Sequence, residues 1–244
     1  MIPLVDAHCH IDLYSSPADV VVWVESNKVY TIAVTNAPSV FSHTAKLVEN
    51  SNYIRPALGL HPQLVHLKKH ELSLFRDLLK DTRYVGEVGL DYSAKQREDE
   101  RNQREVFSSI LDMCTEYENK ILTVHSRHAA GDVISAIGDK FHGTVILHWF
   151  TGSLKELDRA LSYGMFFSVN TSMVKTKKGQ SLISRIPQDR IITETDGPFT
   201  KIANRISQPS DVSFTIIELA KAWRVEAEVA KEQVYSNFKQ LLLR

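Results

Sequence analysis

The stretch Val5-Asp6-Ala7-His8-Cys9-His10-Ile11-Asp12 places two imidazoles two residues apart, directly after a short apolar run. If Ile2 to Ala7 forms a strand, the two-residue period of an extended chain points His8 and His10 to the same side. Such a pair is half of a metal site, and imidazole suits Zn, Ni, Fe or Mn, whereas nearby carboxylates favour Mg or Mn. Pairs of this kind also arise by chance. Residues elsewhere in the chain are therefore needed to distinguish a metal site from two structural histidines.

Eight short β-branched runs alternate along the chain with longer segments of helical period, a pattern typical of β–α units on a parallel sheet. Eight units are the number that a closed (β/α)8 barrel needs, and that fold carries its functional residues at the C-terminal ends of the strands. We therefore predict one α/β domain over residues 1–244, a single TIM barrel. The predicted strands are Ile2 to Ala7, Tyr30 to Thr35, Ile54 to Gly59, Tyr84 to Val88, Ile121 to His125, Thr144 to His148, Met165 to Val169 and Ile191 to Thr195.

The composition is that of an ordinary globular protein, with 43% hydrophobic and 24% charged residues in 244. A formal net charge of +0 excludes a strongly basic protein, so a nucleic-acid substrate requires a local basic patch. The two cysteines, Cys9 and Cys114, lie far apart and form no C-x-x-C pair, which argues against a disulfide framework and favours a reducing cytoplasm. The longest apolar stretch, Val20 to Val24, is too short to span a membrane, and we expect no signal peptide.

Imidazoles and carboxylates recur where the predicted strands end. Because the C-terminal ends of the strands meet at one mouth of a barrel, we expect these side chains to converge there. Together they supply enough ligands for two divalent ions (Mg, Mn or Zn), and Glu87 lies where it could bridge the two. The predicted metal ligands are His8, His10, Glu87, His125, His148 and Asp196.

Several further residues at the same end have alternative interpretations. His61, in Gly59-Leu60-His61-Pro62, is a fifth ligand, a proton donor, a phosphate contact, or only a residue that caps a turn. Arg127, two residues after His125, is well placed to hold an anion, although it could instead pair with an acid at the barrel rim. Basic residues in the loops after strands 7 and 8 provide a phosphate-binding patch or merely a solvated surface; they are Lys175, Lys177, Lys178, Lys201 and Arg205.

In combination and in order, these blocks resemble the TatD-type metal-dependent deoxyribonucleases, which belong to the amidohydrolase-like barrels. The resemblance covers nearly the whole chain. It is carried by Asp6-Ala-His8-Cys-His10-Ile-Asp12, Gly59-Leu60-His61-Pro62, Gly86-Glu87-Val88-Gly89-Leu90-Asp91, His125-Ser126-Arg127, His148-Trp149-Phe150-Thr151-Gly152 and Glu194-Thr195-Asp196-Gly197-Pro198.

The resemblance implies phosphodiester hydrolysis dependent on Mg, Mn or Zn, often as a 3′ to 5′ exonuclease on single-stranded or damaged DNA. It implies that His8, His10, Glu87 and Asp196 hold one metal, and that Glu87, His125 and His148 hold the other. His61, Arg127 and Asn204 or Arg205 would then contact phosphate. The chain departs from the family where Trp149 replaces the usual cysteine, Gly197 a serine or alanine, and Lys120 a proline, and its loop after Asp196 is abbreviated.

Two divalent ions would neutralise the phosphodiester and activate a water. We assign Asp196 as the general base, and His61 or a metal-bound water as the donor of a proton to the leaving group. One alternative is an amidohydrolase-type enzyme that cleaves a small amide, lactone or phosphoester. Glu87 argues against it, since many amidohydrolases carry a carboxylated lysine on strand 4. The other alternative is a subunit that uses its barrel for assembly in a larger complex.

Overall fold

The computed structural model describes residues 2–93 and 97–243, in which eight parallel strands pair in chain order around a central barrel. All eight predicted strands are confirmed, with ends displaced by at most two residues. The strands are β1 (Leu4–Cys9), β2 (Val29–Val34), β3 (Ile54–Leu58), β4 (Tyr84–Gly89), β5 (Ile121–His125), β6 (Thr144–His148), β7 (Phe166–Val169) and β8 (Ile191–Thr193).

The first and last strands meet through the side chain of Asp6. Its carboxylate accepts hydrogen bonds from the backbone N–H of Thr195, at 2.8 Å, and from the hydroxyl of the same residue. At the next residue, the N–H of Asp196 donates to the carbonyl of His8 at 2.9 Å. Because Thr195 bonds to a side chain, β8 ends at Thr193 instead of at the predicted Thr195. The junction places residues from the two ends of the chain side by side.

Helices surround the sheet, and the main core lies between the two, where large side chains such as Phe75, Phe107 and Phe166 are fully buried. Pro17 occupies the first turn of its helix, as predicted, because that position needs no backbone donor. The α-helices are α1 (Pro17–Asn27), α2 (Pro38–Leu47), α3 (Val65–Lys68), α4 (Leu72–Leu79), α5 (Arg97–Thr115), α6 (Ala130–Ile137), α7 (Leu154–Ser162), α8 (Thr171–Lys175), α9 (Lys177–Arg185), α10 (Val212–Trp223) and α11 (Ala227–Leu242).

The prediction that Lys175, Lys177 and Lys178 lie in a loop is wrong, because they belong to the short helices α8 and α9. The side chain of Asn170 accepts hydrogen bonds from two N–H groups in the first turn of α8, each at 3.0 Å. The hydroxyl of Thr176 accepts one such bond, from the N–H of Gly179 at 3.1 Å, at the start of α9. These side chains satisfy backbone donors that a helix start leaves free, and so stabilise two helices too short to show a clear apolar period.

The loop after Asp196 contains a small hairpin, in which β9 (Lys201–Ile202) pairs antiparallel with β10 (Arg205–Ile206). Its two turn residues, Ala203 and Asn204, have φ of 49° and 65°, the left-handed region typical of tight hairpin turns. Below the hairpin, the N–H of Ser207 donates to the carbonyl of Thr200 at 3.1 Å. The loop is therefore a closed unit that projects from the end of β8.

Both cysteines are buried and neither forms a disulfide, as the sequence predicts, and Cys114 packs in the main core. Within the described ranges, every helix is too short or too polar to cross a bilayer.

Lys120, which stands where the resembling family has proline, is almost completely buried. Its ammonium donates to the carbonyls of Leu79 and Thr82 at 2.5 and 2.6 Å, and lies 4.0 Å from the ring centre of Tyr117. The side chain therefore joins the end of α4 to the start of β5.

We expect Lys120→Met to lower the free energy of unfolding by about 1–3 kcal/mol, because both carbonyls lose a charged donor. Urea denaturation measures the change. Lys140→Met, at an exposed position, is the matched control and should shift stability by less than about 0.5 kcal/mol. Equal stability of the two variants would show that Lys120 only fills space.

Candidate metal centre

The carboxylate of Glu87, near the end of β4, lies at the centre of the predicted metal ligands. Its Oε2 is 3.5 Å from Nε2 of His8 and 3.3 Å from Nε2 of His10. Its Oε1 is 2.5 Å from Nδ1 of His125 and 3.5 Å from Nε2 of His148. The strand ends thus bring four imidazoles from three strand termini onto one carboxylate.

Asp196, the remaining predicted ligand, joins the same cluster from the end of β8. Its Oδ1 lies 3.9 Å from Nε2 of His8 and 3.7 Å from Nε2 of His10. Burial raises the pKa of the Asp196 carboxyl to about 7, although His148 and His10 act in the opposite direction. The structure therefore brings together all six side chains that the sequence predicts as ligands.

The pKa of Glu87 shifts the other way. Burial alone would raise it, but the positive charges of His61, His8 and His125 outweigh burial and hold the pKa well below its usual range. Glu87 is therefore an ionised carboxylate in the middle of the cluster, the form in which it binds a cation.

Hydrogen bonds fix which nitrogen of two imidazoles faces the centre. Nδ1 of His148 lies 3.0 Å from the buried carboxylate of Glu194 and must carry the proton, which leaves the lone pair on Nε2. Nδ1 of His8 contacts the hydroxyl of Thr123 at 2.8 Å, an arrangement that also turns Nε2 inward. Metal-binding histidines commonly have such a partner on the second nitrogen.

Glu194 is itself held in place below His148. It accepts hydrogen bonds from the hydroxyl of Ser168 and from the side-chain amide of Asn170, the latter at 2.9 Å. Burial tends to lower the pKa of His148, but the charge of Glu194 and its hydrogen bond raise it to about 10, so a cation that binds Nε2 has to displace a proton from this ring. Glu194 is not among the predicted site residues, although it stands only two residues before Asp196, directly after β8.

Asp91 is the corresponding partner of His125. Its Oδ2 lies 2.9 Å from Nε2 of His125, so Nδ1 is the nitrogen that faces Glu87. The main chain passes close here, because a Cβ on Gly89 would lie 2.1 Å from the carbonyl oxygen of His125, and its φ of 136° also requires glycine. Asp91 ends the motif Gly86-Glu87-Val88-Gly89-Leu90-Asp91, but sequence periodicity does not indicate which side chain it bonds.

His61 differs from the other imidazoles of the cluster. Its Nδ1 accepts a hydrogen bond from the N–H of Gln63 at 3.2 Å, so the neutral ring carries its proton on Nε2. That Nε2 lies 3.5 Å from Oε1 of Glu87 and thus presents a donor to the centre. Among the predicted alternatives, this arrangement favours a proton donor or phosphate contact over a metal ligand.

The cluster is suited to a divalent cation. Nε2 of His8, which faces the centre, is buried without a hydrogen-bond partner in the described part of the chain, a state that proteins rarely tolerate unless a ligand completes it. Three overlapping sets of ligand atoms lie close enough to share an ion: His8 with Glu87 and His148, His8 with His10 and Asp196, and His61 with Glu87 and His125. Mixed imidazole and carboxylate ligands suit Zn or Mn, and carboxylates also suit Mg.

The centre opens into a cleft of about 1360 Å³. Three predicted phosphate contacts, His61, Arg127 and Lys178, line it. The guanidinium of Arg127 is exposed and has no ion pair in the described ranges, whereas Lys178 is placed by a 2.5 Å hydrogen bond from its ammonium to the carbonyl of Thr151.

The other predicted phosphate contacts do not line this cleft. Lys175 and Lys177 are exposed outside it, and Asn204 lies on the hairpin turn. Arg205 forms two charge-assisted hydrogen bonds with Asp211, at 2.6 and 2.7 Å, beside a second and smaller cleft. Its guanidinium is therefore already paired.

Comparison with known proteins gives a family match along nearly the whole chain. The model of the family described as TatD related DNase matches residues 5–243. A metal-dependent hydrolase of Methanocaldococcus jannaschii is 27% identical over 241 residues, covering 96% of this chain and 94% of that protein. Deoxyribonuclease TATDN3 of Homo sapiens is also 27% identical, over 257 residues that cover 96% of this chain and 92% of that protein.

The fold also matches a solved structure. The TatD homologue YjjV of Escherichia coli K12 superimposes with a TM-score of 0.88 and 22% sequence identity, covering 99% of this chain and 98% of that one. This likeness confirms the predicted (β/α)8 barrel.

If the cluster binds metal, the double variant His8→Ala/His10→Ala should lose most of the bound ion, because two imidazoles leave the centre. Inductively coupled plasma mass spectrometry after dialysis against Zn or Mn measures the content directly. His43→Ala, which removes an exposed histidine away from the cleft, should retain the content of the parent. An unchanged metal content in the double variant would contradict the proposed ligands.

Proposed function

We propose that this chain, which belongs to the TatD related DNase family of metal-dependent hydrolases, hydrolyses phosphodiester bonds in DNA with the help of two divalent ions. The observation that carries the proposal is the shared cleft, in which a buried cluster of imidazoles and carboxylates lies next to the unpaired guanidinium of Arg127. His8, His10, Glu87 and Asp196 would hold one ion. Glu87, His125 and His148 would hold the other.

The charges of the cleft favour an anionic substrate. One of its acids, Asp132, is paired with Arg104 at 3.2 Å, and the carboxylate of Glu156 accepts a hydrogen bond from the N–H of Ser153 at 2.6 Å. Within the described ranges Arg127 and Lys178 form no ion pair, so their positive charges can face a ligand. The carboxylates of the metal centre would repel a phosphate, and this repulsion is removed when divalent ions neutralise them.

The chain's own residues supply the remaining chemistry. Bound divalent ions would polarise the phosphodiester and lower the pKa of an attacking water. Asp196 accepts a proton from that water, because its residue lines the cleft through which the substrate enters. His61 donates the proton on its Nε2 to the leaving oxygen, and Arg127 holds the charge that develops on the phosphoryl oxygens.

We infer that the substrate is single-stranded. The cluster lies deep at the barrel mouth, with His8 and Glu87 almost completely buried, so the scissile phosphate has to enter the cleft. A flexible single strand bends into such a site more readily than a duplex does, since the duplex is stiff over many base pairs. The proposal of attack from the 3′ end rests on the family resemblance.

Metal-stripped protein mixed with end-labelled single- and double-stranded DNA and RNA, and with Mg, Mn or Zn in turn, tests the reaction. We expect shortening of single-stranded DNA only with added metal. Glu87→Ala should abolish it while the far-ultraviolet circular dichroism stays that of the parent, because Glu87 contacts the site and not the core. Hydrolysis of a small amide or lactone with intact DNA would instead support an amidohydrolase.

The salt dependence of binding tests the two cations in the cleft. In the Glu87→Ala background, Arg127→Gln and Lys178→Gln should each flatten the slope of log affinity against log salt by about 0.7, the value for one phosphate contact on a single strand. Lys177→Gln, next to Lys178 but outside the cleft, is the control and should leave the slope unchanged. If all three variants keep the slope, the phosphates lie elsewhere.

A further inference from the structure

Phe199 is a large apolar side chain held in water at the catalytic mouth. It is 61% exposed, and among the exposed large apolar side chains of the described ranges it alone lines the cleft. The ring contributes little to the core, so hydrophobic burial stabilises its position little in the free protein. A ligand that covers the ring would supply that stabilisation.

The position of Phe199 is fixed relative to the metal centre. Its N–H donates to the carbonyl of Asp196 at 2.9 Å, within the turn that follows that residue. Its ring meets the ring of His10 edge-on, with centroids 5.0 Å apart and planes at 79°. A ligand that reaches the centre therefore passes the ring of Phe199, whose position these contacts fix.

A second aromatic side chain lies beyond the other end of the histidine cluster. Trp149 is half-buried, lines the same cleft, and has its ring 6.4 Å from that of His148 at 84°. Between them, the rings of His148 and His8 stack at 3.7 Å, and those of His8 and His10 are 5.1 Å apart. Phe199 and Trp149 thus lie at the two ends of this series of ring contacts, and both line the cleft.

We propose that Phe199 stacks on an unpaired nucleobase adjacent to the scissile phosphate, with Trp149 as the opposite wall of the same nucleotide site. The inference rests on the proposed function and deepens it, because stacking requires a base free of its pairing partner. Every base has a flat π surface, so such a contact selects single strands with little preference for sequence. The enzyme would then bind a base through Phe199, whereas Arg127 and Lys178 bind only phosphate.

The test compares strands that end in a normal nucleotide with strands that end in an abasic one, at the 3′ or the 5′ terminus. Holoenzyme of the parent should prefer the normal end by about 5- to 100-fold in kcat/KM, the range expected for one stacked base. Phe199→Ala should lose most of this preference, and Phe199→Tyr should keep it. Phe214→Ala is the control, since this phenylalanine is also exposed but lies on α10 outside the cleft.

A second measurement separates stacking from catalysis. A terminal 2-aminopurine should be quenched on mixing with the parent in stopped flow, before turnover, and much less with Phe199→Ala. The same preference and the same quenching in both proteins would overturn the stacking proposal. Quenching by a parent that hydrolyses no nucleic acid would overturn the proposed function and leave the base-binding site standing.

Discussion

The hydrogen bonds of the Asp6 carboxylate to Thr195 are the constraint on which the site depends. They join the first strand of the barrel to the last, across almost 190 positions of sequence. The bond from the N–H of Asp196 to the carbonyl of His8 lies directly above them. Together with the bond from the N–H of His10 to the carbonyl of Gly197, at 2.8 Å, this junction fixes the distance between the histidines of β1 and Asp196. The metal centre is thus a product of barrel closure as much as of its own side chains.

The strands and the six convergent side chains could be predicted because they obey simple rules. Each side chain stands at the end of an apolar run, and parallel strands in a barrel end at the same mouth. The partners Thr123, Asp91 and Glu194 could not be predicted in this way, since a strand pattern shows which side a residue faces and not which neighbour it bonds. The helix α8 and the first turn of α9 were missed because so few residues cannot show a helical period, and only the capping residues Asn170 and Thr176 mark them.

Hydrogen bonds on the far side of each ring divide the imidazoles into two groups. His8 and His148 have their Nδ1 occupied by a hydroxyl and a carboxylate and turn Nε2 inward, and in the neutral His148 ring that nitrogen bears a lone pair. His61 has its Nδ1 occupied by a donor and turns a proton inward. Identical side chains thereby offer opposite chemistry toward the same Glu87 carboxylate. The difference is set by groups around the cluster: the carboxylate of Glu194, the hydroxyl of Thr123 and the backbone N–H of Gln63.

The small hairpin after β8 also bears on how proteins of this kind diverge. Its two ends are already joined by the bond between Thr200 and Ser207, so the barrel does not depend on the length of chain between them. Adding residues to a loop closed in this way raises its entropic cost only with the logarithm of its length. Insertions at Ala203 and Asn204 are accordingly neutral for closure while they reshape the rim beside the mouth. The hairpin can therefore change in length without loosening the junction between the two ends of the barrel.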